Sequence, residues 1–250
     1  MIVEPVTFSS GRGSALAGRI HKPDTGADTG VVFSHGLLSS KDGYKINRLS
    51  ADIVSAGCIL LTFDFSGAGE SSGEISDRSI LKQVEDLDGA VNALGVRGVK
   101  RIHLMGSSMG AAVAILYASR NNPLVRSLAL IAAPVDLAGM MRSLTGMSDP
   151  AALPAGGTTA IRNIPIKNSF FLEIKEIDMI EAVRNIRVPV MAIQGGRDAV
   201  VAPYNMTLLE NNVRTEFSGI IIPDGDHNLT RDSDILAIRR ALVPWLKSKS

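Results

Sequence analysis

The segment Gly106–Gly110, with the sequence Gly-Ser-Ser-Met-Gly, constrains the fold more than any other part of the chain. An apolar run of strand length, residues 100–105, precedes it, and the apolar run 111–118 is typical of a buried helix. A strand must therefore turn sharply into a helix at Ser108. Such a turn raises a serine hydroxyl above a sheet and points the following backbone N–H at the group that the serine attacks.

The flanking glycines indicate which of the two serines is the nucleophile. Ser108 has a glycine two residues before it and another two residues after it, so the strand and the helix can pass closely on both sides. Ser107 has a methionine at both of these spacings, and those side chains would collide where the strand and the helix pass closely. Ser108 is therefore the predicted nucleophile, although the five residues alone fit equally well a chance turn that caps a helix.

The overall composition is that of a soluble globular protein. The chain has 250 residues, of which 45% are hydrophobic, so we expect a single domain over residues 1–250 with one large core. Its 26 basic and 25 acidic residues give a formal net charge of +1, so we expect neither nucleic acid nor a membrane as a partner. A homodimer is compatible with these features.

Targeting and metal-binding signals are also lacking. No stretch approaches the roughly 18 consecutive apolar residues of a spanning helix, and the first residues do not resemble a signal peptide. These features predict a cytoplasmic protein. Cys58 is the only cysteine, which leaves no intrachain disulfide and no cysteine cluster, and we expect neither a metal nor a cofactor.

Strands and helices are predicted to alternate along most of the chain. An antiparallel edge is predicted at residues 2–8 and 15–22, with later strands at 31–34, 59–63, 100–105, 127–133, 188–194 and 217–222. Helices are predicted at residues 44–56, 77–94, 111–118, 203–212 and 232–246. This order indicates an α/β fold with a doubly wound, mostly parallel sheet of about eight strands, which binds ligands at the carboxyl ends of its strands.

The alternation stops after the sixth predicted strand. Residues 135–185 contain no convincing central strand, which also argues against a closed eight-stranded barrel. Several methionines and the pair Phe170-Phe171 fall in this segment. Long insertions are often functional, so we expect a small cap over the active face whose apolar side chains surround an acyl or aromatic group. The alternative is an irregular helical connection.

A serine nucleophile needs a general base, and histidine suits this role near pH 7. His227, on a turn after the last strand, is the predicted base. His35 begins the loop after a central strand and is expected to shape that loop. His21 and His103 lie within strands, where packing is the expected role.

The group that orients the base should be an acid at another strand end. Asp198, after the penultimate strand, is the leading candidate, and Asp136 is a topologically acceptable substitute. Asp224 and Asp226 are too near the histidine in sequence to be favoured. Asp64 lies in a glycine-rich loop that suggests a local structural role, and any of these acids could simply cap a turn.

Attack on a carbonyl also requires two N–H donors for the oxyanion. The N–H of Met109, directly after the nucleophile, is one candidate. The loop after the first central strand offers the N–H of Leu37, and Gly36 lets this backbone approach closely.

The order serine elbow, aspartate, histidine, with a His-Gly loop upstream, resembles the α/β-hydrolase superfamily over nearly the whole chain. Within it, the chain is similar to the small microbial carboxylesterases, a group that includes feruloyl and other cinnamoyl esterases. The motifs that carry the likeness are His35-Gly36-Leu37, Phe63–Ser71, Gly106–Gly110, Gly196-Arg197-Asp198 and Gly225-Asp226-His227.

The resemblance implies a Ser108, Asp198 and His227 triad with the Leu37 and Met109 amides as the oxyanion hole. It implies a serine carboxylesterase that acts on small acyl or aromatic esters through an acyl-enzyme. Leucines follow Gly36, where lipases have further glycines, which argues against bulky esters. A peptidase or amidase, a thioesterase, a carbon–carbon bond hydrolase and a non-catalytic receptor on the same scaffold are the alternatives.

Overall fold

A central sheet organises the molecule, for which a computed structural model describes residues 1–24, 26–149 and 152–249. Its eight strands within these residues are β1 Ile2–Ser9, β2 Ala15–Lys22, β3 Thr29–Ser34, β4 Ile59–Phe63, β5 Arg101–Ser107, β6 Val125–Ile131, β9 Val190–Gly195 and β10 Phe217–Ile222. Two further strands, β7 Thr158–Ile161 and β8 Ile164–Lys167, form a separate hairpin. The helices are α1 Tyr44–Ser55, α2 Ile80–Gly95, α3 Met109–Ala118, α4 Leu137–Thr145, α5 Asn168–Glu176, α6 Met179–Arg184, α7 Tyr204–Asn212 and α8 Asp232–Lys249.

The strand order is β1-β2-β4-β3-β5-β6-β9-β10. β1 and β2 are antiparallel to each other, and β2 is antiparallel to β4, whereas the strands from β4 to β10 in this order are all parallel. The predicted doubly wound, mostly parallel sheet is confirmed. The carboxyl ends of the parallel strands therefore lie at one edge, where such sheets bind ligands.

Helices cover both faces of the sheet. α1 and α8 pack on one face, and α2, α3 and α6 pack on the other. All six residues of β3 are buried, because helices cover this strand on both faces. Its central residues are accordingly apolar in both directions. α2 begins at Ile80 rather than at residue 77, because the Ser79 Oγ accepts the N–H of Lys82 at 3.1 Å and a 3₁₀ turn precedes this cap.

The segment between β6 and β9 interrupts the alternation. These two strands are neighbours in the sheet, and the chain between them forms α4, the β7–β8 hairpin, α5 and α6. The predicted cap at residues 135–185 falls within this segment. In the described part of the chain, none of the helices combines the length and the apolar character that crossing a membrane requires.

Candidate active site

The turn between β5 and α3 consists of Ser108 alone. Its φ of 54° and ψ of −125° lie in a region that is costly for a residue with a side chain. The N–H of Ser108 donates to the carbonyl of Ile131 at 2.8 Å, which holds the turn against β6. The sharp strand-to-helix turn expected from the sequence is present.

The flanking glycines permit this turn. A Cβ at Gly106 would lie 2.5 Å from the carbonyl oxygen of Gly110, and a Cβ at Gly110 would overlap the carbonyl of Ser34. The backbone therefore passes closely on both sides of Ser108, as the glycine spacing predicted.

Asp198 and His227 meet Ser108 at the carboxyl edge of the sheet. Nε2 of His227 is 3.0 Å from Oγ of Ser108, and Nδ1 is 2.9 Å from Oδ2 of Asp198. The two loops that carry Asp198 and His227 follow the neighbouring strands β9 and β10, and the N–H of Arg197 donates to the carbonyl of Gly225 at 2.8 Å between them. Three side chains that are distant in sequence thus form one hydrogen-bonded line.

The Asp198 carboxylate is fully buried and well supplied with donors. The Gln194 amide donates to Oδ2 at 2.9 Å, and the N–H groups of Val200 and Val201 donate to Oδ1 at 2.9 and 2.8 Å. Burial acts to raise the pKa of Asp198, but the hydrogen bonds from His227 and the two N–H groups outweigh burial and lower it. An ionised Asp198 accepts a hydrogen bond from Nδ1–H of His227, which keeps the ring proton on Nδ1 and leaves Nε2 free to accept the proton of Ser108.

The other candidate acids have different partners. Asp136 caps α4 and accepts the Tyr204 hydroxyl. Asp224 pairs with Arg197 at 2.6 Å, and Asp226 accepts a backbone N–H within its own turn. Asp64 is buried against the Lys41 ammonium at 2.9 Å, in agreement with its expected structural role.

The remaining histidines are structural. His35 is buried, its Nδ1 lies 2.8 Å from the Gly36 carbonyl, and its Nε2 accepts the N–H of Phe65 at 3.2 Å. His103 is buried with its Nδ1 2.9 Å from Ser127 Oγ. Burial lowers the pKa of His35 and of His103 to about 4, so both rings are neutral near pH 7. His21 is also buried, within β2.

The two segments that carry the predicted oxyanion donors lie next to Ser108. A Cβ on Gly36 would lie 3.3 Å from the Cβ of Ser108, so the loop that carries Leu37 runs directly against the serine. Met109 is the first residue of α3, and the first N–H groups of a helix have no partner within that helix. Both segments thus adjoin Ser108, and the role of the two amides as oxyanion donors stays a prediction.

A cavity of about 230 Å³ opens in front of Ser108 and His227. The insertion contributes Leu144, Ile161 and Arg162 to its wall. The expectation that Phe170 and Phe171 form this wall is wrong: both are 1% exposed and pack edge to face in the core beneath the insertion. The methionine pair Met140 and Met141 is likewise buried in the core.

Three polar residues of the site, Gln194, Lys45 and Arg162, were not singled out from the sequence, and Ser107 was considered there only as an alternative nucleophile. Gln194 orients Asp198, and Lys45, Ser107 and Arg162 line the cavity. Of these, only Gln194 could have been recognised from the sequence, because it is a polar residue near the end of a buried strand. Among the described residues, no group of three or more histidine, cysteine, aspartate or glutamate side chains could hold a metal ion.

Comparison with known proteins places this site in a family. Residues 30–165 match the family model described as the alpha/beta hydrolase fold. The mitochondrial palmitoyl-protein thioesterase ABHD10 of Rattus norvegicus is 24% identical over 243 residues, which cover 93% of this chain and 80% of that protein.

Two solved structures are similar over almost their whole length. The esterase domain of a Rhodothermus marinus protein is 27% identical, with a TM-score of 0.79 and 99% of both chains covered. Est1E from Butyrivibrio proteoclasticus, solved with ferulic acid bound, is 18% identical, with a TM-score of 0.88 and coverage of 98% of this chain and 99% of Est1E. The chain therefore belongs to the α/β-hydrolase fold family, and it is a hydrolase.

Proposed function

We propose that the chain is a serine carboxylesterase that hydrolyses small acyl or aromatic, cinnamoyl-type esters. The observation that carries this proposal is the 3.0 Å distance between His227 Nε2 and Ser108 Oγ on a strained turn, with Asp198 hydrogen-bonded to the other ring nitrogen. A serine hydroxyl becomes a nucleophile when a base and an orienting acid are aligned in this way.

The proposed reaction is a two-step acyl transfer. Ser108 Oγ attacks the ester carbonyl carbon while its proton moves to His227 Nε2, and the Leu37 and Met109 N–H groups donate hydrogen bonds to the oxyanion. The intermediate collapses, and His227 returns the proton to the leaving alcohol. Water then loses a proton to His227 as it attacks the acyl carbon, and His227 returns this proton to Ser108 Oγ as the acid leaves. Asp198 stabilises the charged imidazole in both steps.

The size of the cavity favours a small substrate. Its volume of about 230 Å³ is below the roughly 300–1,000 Å³ of sites for drug-sized ligands. A short acyl group or a single aromatic ring suits this volume better than the long chain named for ABHD10. The similarity to Est1E with ferulic acid bound supports an aromatic acid as one such group.

The test is hydrolysis of p-nitrophenyl acetate, p-nitrophenyl butyrate and methyl ferulate by the parent and by Ser108→Ala. We expect Ser108→Ala to lower kcat/KM at least about a thousandfold and to abolish labelling by a fluorophosphonate, because the nucleophile is lost. Ser119→Ala, at the opposite end of α3, is the matched control. A Ser108→Ala protein that hydrolyses these esters as fast as the parent rules the proposal out.

A thioesterase is the second candidate, favoured by the similarity to ABHD10. The same triad and oxyanion donors would serve a thioester. Acetyl and palmitoyl thioesters added to the ester panel distinguish the two functions, because a thioesterase would have the higher kcat/KM on a thioester than on the ester with the same acyl group. Aminoacyl-naphthylamides in the same panel test the peptidase alternative.

A further inference from the structure

Lys45 places an ammonium group in the wall of the cavity. It is the second residue of α1, and its Nζ donates to Ser107 Oγ at 3.1 Å. Lys45 and Ser107 line the cavity together with Ser108. Within the described part of the chain, this ammonium forms no ion pair with a carboxylate at 4.0 Å or less. An ammonium has three donors, so two remain for a ligand.

Holding this charge away from water is costly. Burial lowers the pKa of Lys45 to about 8, although Asp198, Asp226 and Asp234 act through space in the opposite direction. A methionine of similar length would fill the same space without this cost. A half-buried cation with unused donors beside a candidate nucleophile therefore indicates an anionic ligand.

The surrounding wall is suited to an anion. Ser107 Oγ accepts from Lys45, so its own hydroxyl proton can be donated into the cavity. Arg162, at the turn of the β7–β8 hairpin, adds an exposed cation to the same wall. No aspartate or glutamate is among the described residues that line it. An ammonium and a hydroxyl side by side match the two oxygens of one carboxylate.

We propose that Lys45 and Ser107 form a carboxylate-binding subsite, so that the preferred ester carries a carboxylate close to the scissile bond. Arg162 attracts this anion to the cavity. This inference rests on the proposed esterase function of the same cavity. Ser107 and Ser108 are consecutive, with Cα atoms about 3.8 Å apart, so the carboxylate lies only a few bonds from the acyl carbon. Short half-esters of dicarboxylic acids and esters of carboxyphenols both meet this requirement.

Two matched substrate pairs test the subsite and distinguish the two sources of the carboxylate. Monomethyl succinate and the neutral methyl succinamate place the difference in the acyl group, whereas 4-acetoxybenzoate and 4-acetoxybenzamide place it in the leaving group. The measured quantity is the ratio of kcat/KM for the charged ester to kcat/KM for its neutral partner.

We expect Lys45→Met to lower this ratio about tenfold to a hundredfold in at least one pair, because a charge-assisted hydrogen bond is lost. Lys45→Arg should retain most of the ratio, and Ser107→Ala should lower it by a smaller factor. Arg48→Met is the matched control: Arg48 lies on the same helix but pairs with Asp232 in solvent, so its loss should leave the ratio unchanged.

An unchanged ratio in both pairs for Lys45→Met overturns the inference while leaving the esterase function intact. An equal fall for charged and neutral esters also overturns it, because this result would mean that Lys45 only positions the turn. Calorimetry of monomethyl succinate and 4-acetoxybenzoate binding to Ser108→Ala provides a readout without turnover.

Adding Lys45→Met to the Ser108→Ala protein should weaken this binding about tenfold or more. An unchanged Kd, or no binding at millimolar ligand, overturns the subsite. If the parent hydrolyses no ester, the proposed function fails, and the binding comparison still decides whether the subsite exists.

Discussion

Asp198 and Asp136 are chemically identical and both follow a strand of the sheet, but their neighbours give them different roles. The Asp198 side chain is fully buried and accepts hydrogen bonds from His227, from an amide and from two N–H groups. The Asp136 side chain is 26% exposed and caps a helix. The sequence left both open, and the surroundings of each carboxylate separate them.

We expect Asp198→Asn to lower kcat/KM for p-nitrophenyl acetate about 10³–10⁴-fold. The asparagine amide can donate to Nδ1 of His227, and the ring proton then lies on Nε2, where it blocks transfer from Ser108. Asp136→Asn is the matched control and should stay within about twofold of the parent, since asparagine also caps helices. An Asp198→Asn protein that keeps more than about a tenth of the parent activity contradicts the assigned role.

At the scale of elements, the β7–β8 hairpin has two isoleucines in different surroundings. Ile161 and Ile164 are paired in register, but only Ile161 lines the cavity. Ile161 is 1% exposed, whereas Ile164 is partly buried and packs on the core. The hairpin can therefore set the depth of the cavity through one side chain.

Ile161→Ala should shift acyl preference towards longer chains. The expected gain in kcat/KM is about fourfold for each methylene group that the enlarged cavity accommodates. The measurement is kcat/KM across p-nitrophenyl acetate, butyrate, hexanoate and octanoate. Ile164→Ala removes the same atoms from the paired strand and should leave the profile of chain lengths unchanged. Identical profiles for the two variants would show that the hairpin does not limit the acyl group.

Elements were predictable where one local signal dominated. The continuous apolar runs of β3 and β4 identified strands covered on both faces. The start of α2 was placed too early, although Ser79 carried a capping signal. Phe170 and Phe171 were assigned to the cavity because the sequence shows that they are apolar but not which way α5 turns them. In the structure they complete the core beneath the insertion.

At the scale of the whole molecule, parallel topology explains why the central site residues could be found. Ser108, Asp198 and His227 each follow a strand, and parallel strands bring their carboxyl ends to one edge. Lys45 could not be found in this way. A lysine near the start of a helix normally faces water, and only the packing of α1 on the sheet brings Lys45 to Ser107 at the end of β5 and into the cavity wall.

The buried histidines make the stability of the whole molecule depend on pH. His35 and His103 are 1% and 0% exposed, and burial lowers the pKa of each to about 4. In the unfolded chain both rings have the ordinary histidine pKa of about 6.5. Between these values the unfolded state binds more protons, so the free energy of unfolding falls as the pH decreases. From pH 7 to pH 5 each histidine should account for a loss of about 1–2 kcal/mol.

Urea unfolding at pH 7 and pH 5 of the parent and of His103→Asn tests this origin. Among the described residues, Nε2 of His103 has no hydrogen-bond partner, so no acceptor at this nitrogen stabilises the charged ring. We expect the pH-dependent loss to be about 1–2 kcal/mol smaller in the variant, because its side chain does not titrate.

Comparing each protein with itself at two pH values cancels any general destabilisation, and carboxylate contributions are common to both proteins. His103→Leu serves the same purpose if the asparagine variant does not fold. An equal loss of unfolding free energy in parent and variants would contradict this prediction. It would mean that His103 is already protonated in the folded protein at pH 5, or that the pH dependence arises from other groups.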